Sequence, residues 1–486
     1  MTTGGQDGSR QYRHGQGVTT TMTRIVILGG GPAGYEAALV AAQHEADVTV
    51  IEQDSVGGSC VAYDCVPSKT FIASAGVRAG FRRTNEMGVD VDDPRVDLPR
   101  VNGRVRGLAL AQSADIRSTL QRAGVRVLQG HATFERSEVH SATHGVLVTA
   151  PDGSTETVIA DVVLIATGAS PRVLPDAQPD GDRILTWRQL YDLDTLPERL
   201  VVVGSGVTGA EFVSAYSELG VPVTLISSRD RVLPHEDPDA AATLEEVFTE
   251  RGVTIEPRSR AEKVVATADG VRVTLSDGRE VSGSHALMTV GSVPNTRDLG
   301  CSEIGLELTD SGHIQVDRVS RTRIPGVYAA GDCTGLLPLA SVAAMQGRIA
   351  VWHALGEGVA PLRLKTVAAA VFTRPEVATV GISHAQIESG EFSAREVTLP
   401  LGTNPRAKMQ GLRQGFVKIF CRPATGVVIG GVVVAPVASE LILPLAMAVQ
   451  NNLTVDDLAH TFSIYPSLSG SVTEAGRRLM QHDDLD

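Results

Sequence analysis

Arg24-Ile25-Val26-Ile27-Leu28-Gly29-Gly30-Gly31-Pro32-Ala33-Gly34 is the stretch on which the reading of this chain turns. After Arg24 the run is continuously apolar, as expected of a parallel strand buried on both faces. A glycine-rich turn and an alanine-rich helix follow, and the next strand, Val48-Thr49-Val50-Ile51, ends on the acid Glu52. In that setting Gly29, Gly31 and Gly34 allow a tight turn and let backbone N–H groups approach a pyrophosphate. Glu52 is placed to accept from the ribose hydroxyls of an adenosine. A glycine turn in an unrelated α/β fold would share the spacing, but not the strand, helix and acid together.

The unit occurs twice. Leu200-Val201-Val202-Val203 runs into Gly204-Ser205-Gly206-Val207-Thr208-Gly209, a helix, and the strand Val223-Thr224-Leu225-Ile226. Two such units imply two nucleotides held side by side, with Gly204, Gly206 and Gly209 cradling the second. In the place of Glu52 stands Ser227, followed by Ser228 and Arg229. An acid there would accept from a 2′-hydroxyl and repel a 2′-phosphate; Ser and Arg do the opposite, which favours NADPH over NADH. An arginine that simply faces solvent would read the same way.

With 486 residues the chain is expected to form several domains of a Gly-rich, aromatic-poor α/β protein. A net charge of −13 argues against nucleic-acid binding, which needs clustered Lys and Arg. Residues 1–21 are polar and lack an apolar core for a signal peptide; with Met22 directly before the first strand, either a disordered tail or a misassigned start is expected. The apolar stretch from Gly426 to Val449 is interrupted by Gly430-Gly431, Pro436, Glu440 and Pro444. It reads as a buried strand followed by a core helix, and the protein as cytoplasmic.

Five cysteines in so long a chain fit a reducing compartment, where a lone CxxxxC pair is catalytic more often than structural. That pair is Cys60 and Cys65, in Gly57-Gly58-Ser59-Cys60-Val61-Ala62-Tyr63-Asp64-Cys65-Val66-Pro67-Ser68-Lys69. On a regular helix such residues have Cα atoms about 8–9 Å apart, beyond the disulfide range of up to about 7 Å. A bridge therefore requires a distorted turn, and such strain eases its reduction. Cys301 and Cys421 read as small buried side chains, and Cys333 has no partner at useful spacing.

Together with Ala166-Thr167-Gly168, the second GxGxxG ending in Glu211, and Gly331-Asp332, these motifs resemble the dihydrolipoamide dehydrogenase/glutathione reductase family. The resemblance runs from about Met22 to the C-terminus. It implies two Rossmann-like nucleotide-binding domains and a C-terminal α+β dimerisation domain, in a homodimer. FAD would sit on the first unit, with Lys69 and Glu211 paired near the flavin. Thr167 and Gly168 would line the crossing between domains, and Asp332 would bind the ribityl chain. Ala132, Ala166, Ala340 and Gly291 are implied as further cofactor contacts, Cys65 as the thiol against the flavin, and Cys60 as the interchange thiol. The expected boundaries are 22–168 and 291–365 for the FAD-binding part, 169–290 for the NAD(P)-binding domain and 366–486 for the dimerisation domain. No metal site is expected.

One family feature is missing. In the family a His oriented by a Glu, contributed by the second subunit, shuttles the proton of thiol–disulfide exchange. Here the segment reads Tyr465-Pro466-Ser467-Leu468-Ser469-Gly470, so Tyr465 and Gly470 occupy those two places. Tyr, with a reference pKa near 10 against roughly 6.5 for His, stays protonated at pH 7. His460 stands at the wrong offset, and Ser341 replaces another His usual in lipoamide dehydrogenases. General acid–base help is worth about 10²–10⁴ in rate. What survives is electron flow from NAD(P)H to FAD, and then to an acceptor that draws protons from water, such as a quinone. The runs Ile184-Leu185-Thr186-Trp187-Arg188-Gln189-Leu190-Tyr191 and Tyr465-Pro466-Ser467-Leu468-Ser469-Gly470 are similar to a divergent NAD(P)H-quinone dehydrogenase branch. Three alternatives stay open: a dihydrolipoamide dehydrogenase with Tyr465 as a poor proton donor, a soluble transhydrogenase, and a non-catalytic redox sensor.

Overall fold

The computed structural model describes residues 22–81, 84–92, 94–136 and 142–480. The tail expected over residues 1–21 lies outside them. The first nucleotide unit is a parallel sheet whose strands lie in the order Val327–Ala329, Val162–Ile165, Arg24–Leu28, Asp47–Glu52, Arg126–Gln129. Arg24–Leu28 takes the middle, with Ile25 opposite both Val48 and Val162. Covered on both faces, its Ile25, Val26, Ile27 and Leu28 are buried, each side chain contributing about 1.5–3 kcal/mol through removal from water.

The second unit repeats the plan in the order Thr254–Glu256, Val223–Ile226, Leu200–Val203, His285–Met288, Ile184–Thr186. Val201 lies opposite Thr224 and Ala286. The chain passes between the two units along a short antiparallel pair, Ala169–Pro171 with Ser292–Pro294. It returns to complete the first sheet with Val327–Ala329.

From Ala368 onward an antiparallel sheet forms in the order Ala368–Val371, Glu376–Gly381, Val428–Ala435, Phe416–Cys421, Arg395–Pro400. The apolar stretch near Gly426 supplies its fully buried central strand, Val428–Ala435. The expected core helix is two pieces, Ala438–Leu441 and Leu443–Asn451. It is core on one side only: Leu445 and Ala448 are buried, while Leu443 and Met447 face solvent. Pro444 sits in its first turn, where the missing N–H costs nothing. Among the described residues no helix is long and apolar enough to cross a membrane. Cys301, Cys333 and Cys421 are buried free thiols.

Three bodies meet where the chemistry is expected. The helix Cys65–Phe81 of the first unit lays Phe71 against Tyr216 of the second, ring centroids 5.2 Å apart, and against Tyr191 at 6.2 Å. The same apolar cluster takes in Val371, Val377 and Phe416 of the C-terminal sheet. A buried ion pair ties that sheet to the second unit: Lys418 Nζ lies 2.9 Å from Asp237 Oδ2 and 2.6 Å from Asp239 Oδ2. Asp237 also caps the helix Pro238–Glu250.

Candidate active site

The two glycine turns have nearly the same backbone. Gly29 and Gly204 hold φ of +103° and +113°, and a Cβ on either would come within 2.4 Å of a carbonyl oxygen, of Ala166 or Thr289. Gly34 and Gly209 pack so closely that a Cβ would lie 1.9 Å from Gly29 O or Gly204 O. The middle glycines face outward. A Cβ at Gly31 would meet nothing nearer than Gly58 Cα at 3.9 Å, and one at Gly206 nothing within 4 Å. Each turn thus bares the N-terminus of its helix, Pro32–Gln43 or Val207–Glu218, as an anion seat. Gly57 and Gly58, both at positive φ, close the far side of the first seat.

The strand ends differ. Glu52 is buried and accepts from Gly30 N at 2.7 Å and Asp54 N at 2.8 Å. Burial pushes its pKa above the usual carboxylate value, against the pull of those two hydrogen bonds. In the second unit Ser227 is fully buried and its Oγ lies 2.7 Å from Ser205 Oγ. Its hydroxyl is therefore turned inward, and the exposed residues beside it are Ser228 and Arg229. The Arg229 carbonyl accepts from Arg258 N at 2.8 Å, which joins a second exposed arginine to the same lip.

Cys60 and Cys65 sit on either side of a break in the helix. Gly58–Ala62 ends at Tyr63, where φ is −135°, and a new helix starts at Cys65. Tyr63 N and Asp64 N both donate to Ser59 O, at 2.9 and 2.8 Å, so the turn is widened at that point. Both cysteines are half-buried free thiols within hydrogen-bonding reach of each other. The neighbouring Cys65 thiol holds Cys60 below the usual thiol range against its burial. The same contact, with burial, drives Cys65 upward.

One turn on, Lys69 Nζ donates to Glu211 Oε2 at 2.9 Å, and Glu211 is buried. The other carboxylate oxygen accepts from Phe372 N at 2.9 Å, and the Phe372 ring lies 4.9 Å from Lys69 Nζ. Burial opposes the Lys69 charge, but Glu211 and Cys65 outweigh it and raise its pKa. Each of the three bodies contributes one member of this group.

Residues 23–347 match the family described as pyridine nucleotide-disulphide oxidoreductase, and residues 367–476 match its dimerisation domain. The chain belongs to the pyridine nucleotide-disulphide oxidoreductases. It is 64% identical over 470 residues to the NAD(P)H dehydrogenase (quinone) of Mycobacterium tuberculosis strain H37Rv, covering 96% of this chain and 95% of that one. It is 32% identical to the dihydrolipoyl dehydrogenase of Chlorobaculum tepidum, covering 94% and 97%. The crystal structure of LpdA from M. tuberculosis superposes with a TM-score of 0.92 at 63% identity, over 95% of this chain and all of that one. This is therefore an oxidoreductase, and the family implies FAD and NAD(P)H as its cofactors.

A family flavoprotein needs a dinucleotide seat beside the redox pair, and the open backbone at Gly31, facing Gly58 next to Cys60, fits that need. Asp332 is half-buried in a turn whose Gly331 N donates to Gln346 Oε1 at 3.0 Å. Thr167 O accepts from Asn295 Nδ2, and Gly168 O from Asn295 N, at the crossing between units. Gly291, at positive φ, immediately precedes the returning strand Ser292–Pro294. Ala166 closes the strand against Gly29, Ala132 lies buried in the small strand His131–Phe134, and Ala340 begins the helix Ala340–Ala354. Tyr465 belongs to a different neighbourhood, 81% exposed on a C-terminal loop with Gly470 nearby. His460 spends Nδ1 on Asp456 O within its own helix.

Four contributors escape sequence reasoning. Phe372 acts through a backbone N–H, which no side-chain pattern announces. Gly57 and Gly58 stood in the quoted motif, and only the positive φ values single them out. Asp64, between the cysteines, carried a signal that could have been weighed, a carboxyl within the redox motif.

Proposed function

We propose that this chain is a cytoplasmic homodimeric flavoenzyme that takes reducing equivalents from NAD(P)H, NADPH preferred, and delivers them to quinones. The observation that carries the reading is the contrast between a fully assembled Cys60/Cys65–Lys69–Glu211 group and the Tyr465 and Gly470 that stand where the family's base and its orienting acid belong. The quinone dehydrogenase name of the M. tuberculosis relative supports it.

In this reading Gly29, Gly31, Gly34, Glu52 and Asp332 hold FAD, with Ala132, Ala166, Thr167, Gly168 and Ala340 around it. Gly204, Gly206, Gly209, Gly291 and Arg229 hold the nicotinamide nucleotide. Bound FAD supplies the two-electron relay between hydride donor and acceptor. Lys69, fixed as a cation by Glu211, offsets negative charge that builds up nearby, and Phe372 shields that pair from water. NADPH is favoured because Arg229 and Arg258 stay exposed at the lip, while Arg279 Nη1 covers Glu256 at 2.6 Å. Neither Tyr465 nor Gly470 brings the imidazole or the orienting acid of the family, so thiol–disulfide exchange lacks its shuttle.

A disulfide-reductase reading keeps one observation in its favour, the retained pair of free cysteines, Cys60 and Cys65. A steady-state comparison separates the two. Cys60→Ser should keep most NAD(P)H:quinone turnover, and wild-type turnover of dihydrolipoamide or glutathione should be near background. Installing Tyr465→His with Gly470→Glu should raise disulfide turnover by up to about 10²–10⁴. Efficient dihydrolipoamide oxidation by the wild type, or loss of quinone reduction in Cys60→Ser, overturns the proposal.

A further inference from the structure

Pro67 accounts for the break in the helix between the two cysteines. It has no N–H to give to the carbonyl four residues back, that of Tyr63, and its ring crowds that carbonyl. The next helix, Cys65–Phe81, opens with Ser68 N donating to Asp64 O at 2.7 Å. A proline stops a helix but leaves the chain before it free to turn in several ways. Here one side chain fixes the turn. The Tyr63 hydroxyl donates to Asp54 Oδ2 at 2.8 Å, and Arg188 Cζ lies 4.8 Å from the centre of the Tyr63 ring. Both anchors stand elsewhere in the fold. Asp54 follows the strand Asp47–Glu52 and is itself held by its N–H on Glu52 Oε1 at 2.8 Å. Arg188 belongs to the second unit, two residues past the edge strand Ile184–Thr186 and next to the buried Trp187. Its Nε is buried without a hydrogen-bond partner among the described residues, which leaves the aromatic face as its contact there.

We propose that Tyr63 is the positioning residue of the redox pair. Clamped between Asp54 and Arg188, it holds the widened turn that keeps Cys60 and Cys65 facing each other when no bond joins them. The clamp moves no proton and no electron, because the Tyr63 hydroxyl is spent on Asp54 rather than on either thiol. It is independent of which acceptor finally drains the pair.

The two redox states differ in what holds the turn. A disulfide needs Cα atoms within about 7 Å, so once formed it keeps the turn wide by itself. In the dithiol that task falls to the clamp, acting on the residue whose N–H, with that of Asp64, is gathered onto Ser59 O. Release Tyr63, and the dithiol gains conformational freedom that the disulfide cannot share. The equilibrium then moves toward the dithiol, and the thiols meet less often. Because one anchor sits beside Glu52 and the other on the second unit, the redox turn is set by both nucleotide-binding bodies at once.

The test equilibrates full-length flavoprotein under argon with dithiothreitol at set ratios of its oxidised and reduced forms. Free thiols are trapped with a maleimide, and the bridged fraction of Cys60 and Cys65 is read by mass spectrometry. In the reaction followed, the two thiols become a disulfide while oxidised dithiothreitol takes up their two hydrogens and opens to its dithiol. Tyr63→Leu, which removes both contacts, should lower the equilibrium constant for bridging about tenfold. Tyr63→Phe, which keeps the ring under Arg188, and Arg188→Gln should each lower it about two- to fivefold. Asp54→Asn, which still offers the hydroxyl an acceptor, should stay within about twofold of wild type. A constant that is unmoved in Tyr63→Leu, even with a lower melting temperature, overturns the proposal, as does one that moves toward the disulfide. A wild type that forms no Cys60–Cys65 bond at the most oxidising ratio overturns it too. If Tyr63→Leu does not fold, hydrogen exchange in Tyr63→Phe decides the matter. The Tyr63 and Asp64 amides should exchange about two- to fivefold faster than in wild type in the dithiol, and at the wild-type rate in the disulfide. Wild-type rates in the dithiol, or equal acceleration in both redox states, overturn the proposal.

Discussion

The two nucleotide units share a backbone and differ in one corner. Their glycine turns, helix starts and central strands match closely, down to Gly34 and Gly209 each within a Cβ's clash of the turn's first carbonyl. At the corner, the first unit has Gly30 giving its N–H to the Glu52 carboxylate, and the second has Ser205 meeting Ser227 through their hydroxyls. A carboxylate needs a bare backbone donor and room to reach it; a pair of hydroxyls satisfies itself. On the proposed reading the cradle sets that a dinucleotide binds, and two residues in the corner set which hydroxyls or phosphates of its ribose are welcome.

The harshest way to break this equivalence is to fill one cradle at a time. Gly34→Ala should cost the protein its flavin, seen as loss of visible absorbance. Gly209→Ala should stay yellow while stopped-flow reduction by NADPH slows at least about tenfold, as overpacking of about 1–3 kcal/mol would give. Equal flavin loss in both variants would mean that the units do not fold or bind separately.

A smaller effect tests the corner alone. Ser205→Gly with Ser227→Glu rebuilds the first unit's corner in the second. The ratio of kcat/KM for NADPH over NADH should fall by about ten- to a hundredfold, the worth of a charge-assisted contact exchanged for a repulsion. A ratio that stays put would show that Arg229 and Arg258, rather than the corner, choose the nucleotide.

The mildest prediction concerns acid. Glu52 has its carboxyl raised by burial, so in flavin-free protein the protonated form favours the fold and that contribution fades as pH rises through the raised value. Flavin-free Glu52→Gln should melt slightly above flavin-free wild type at neutral pH, the gap closing as pH drops below the raised carboxyl value. In the holoprotein FAD should leave faster over the same fall in pH, because the carboxylate is the form that accepts from ribose. NADPH affinity should show no such step, since Ser227 does not titrate there. A wild-type gap that widens in acid would contradict the burial of Glu52.

Much of this was legible in the sequence because it is local. Strand, glycine turn, helix and terminal acid sit within a few dozen residues, so Gly29 to Glu52 and Gly204 to Ser227 announce both cradles. The break between Cys60 and Cys65 was foreseeable from helix geometry once the two cysteines were taken as a pair that must be able to bridge. What could not be read depends on distant chain segments or on backbone groups. Phe372 N reaching Glu211 unites residues far apart in sequence. The inward turn of the Ser227 hydroxyl depended on Ser205, whose partner is fixed only once the strand and the turn are packed together. The apolar run after Gly426 gave the right strand, but its helix is only half covered, since composition does not say which face finds a neighbour.

The C-terminal loop has one more consequence. Phe462, Ile464 and Tyr465 stand almost wholly in solvent on the single chain, beside a module matched to the family's dimerisation domain. Large apolar side chains bared together are unfavourable in water, and any second chain that covers them is favoured by mass action. The melting point should then climb with protein concentration. Dilution would act on this enzyme as a mild denaturant, felt first at the tip that carries Tyr465.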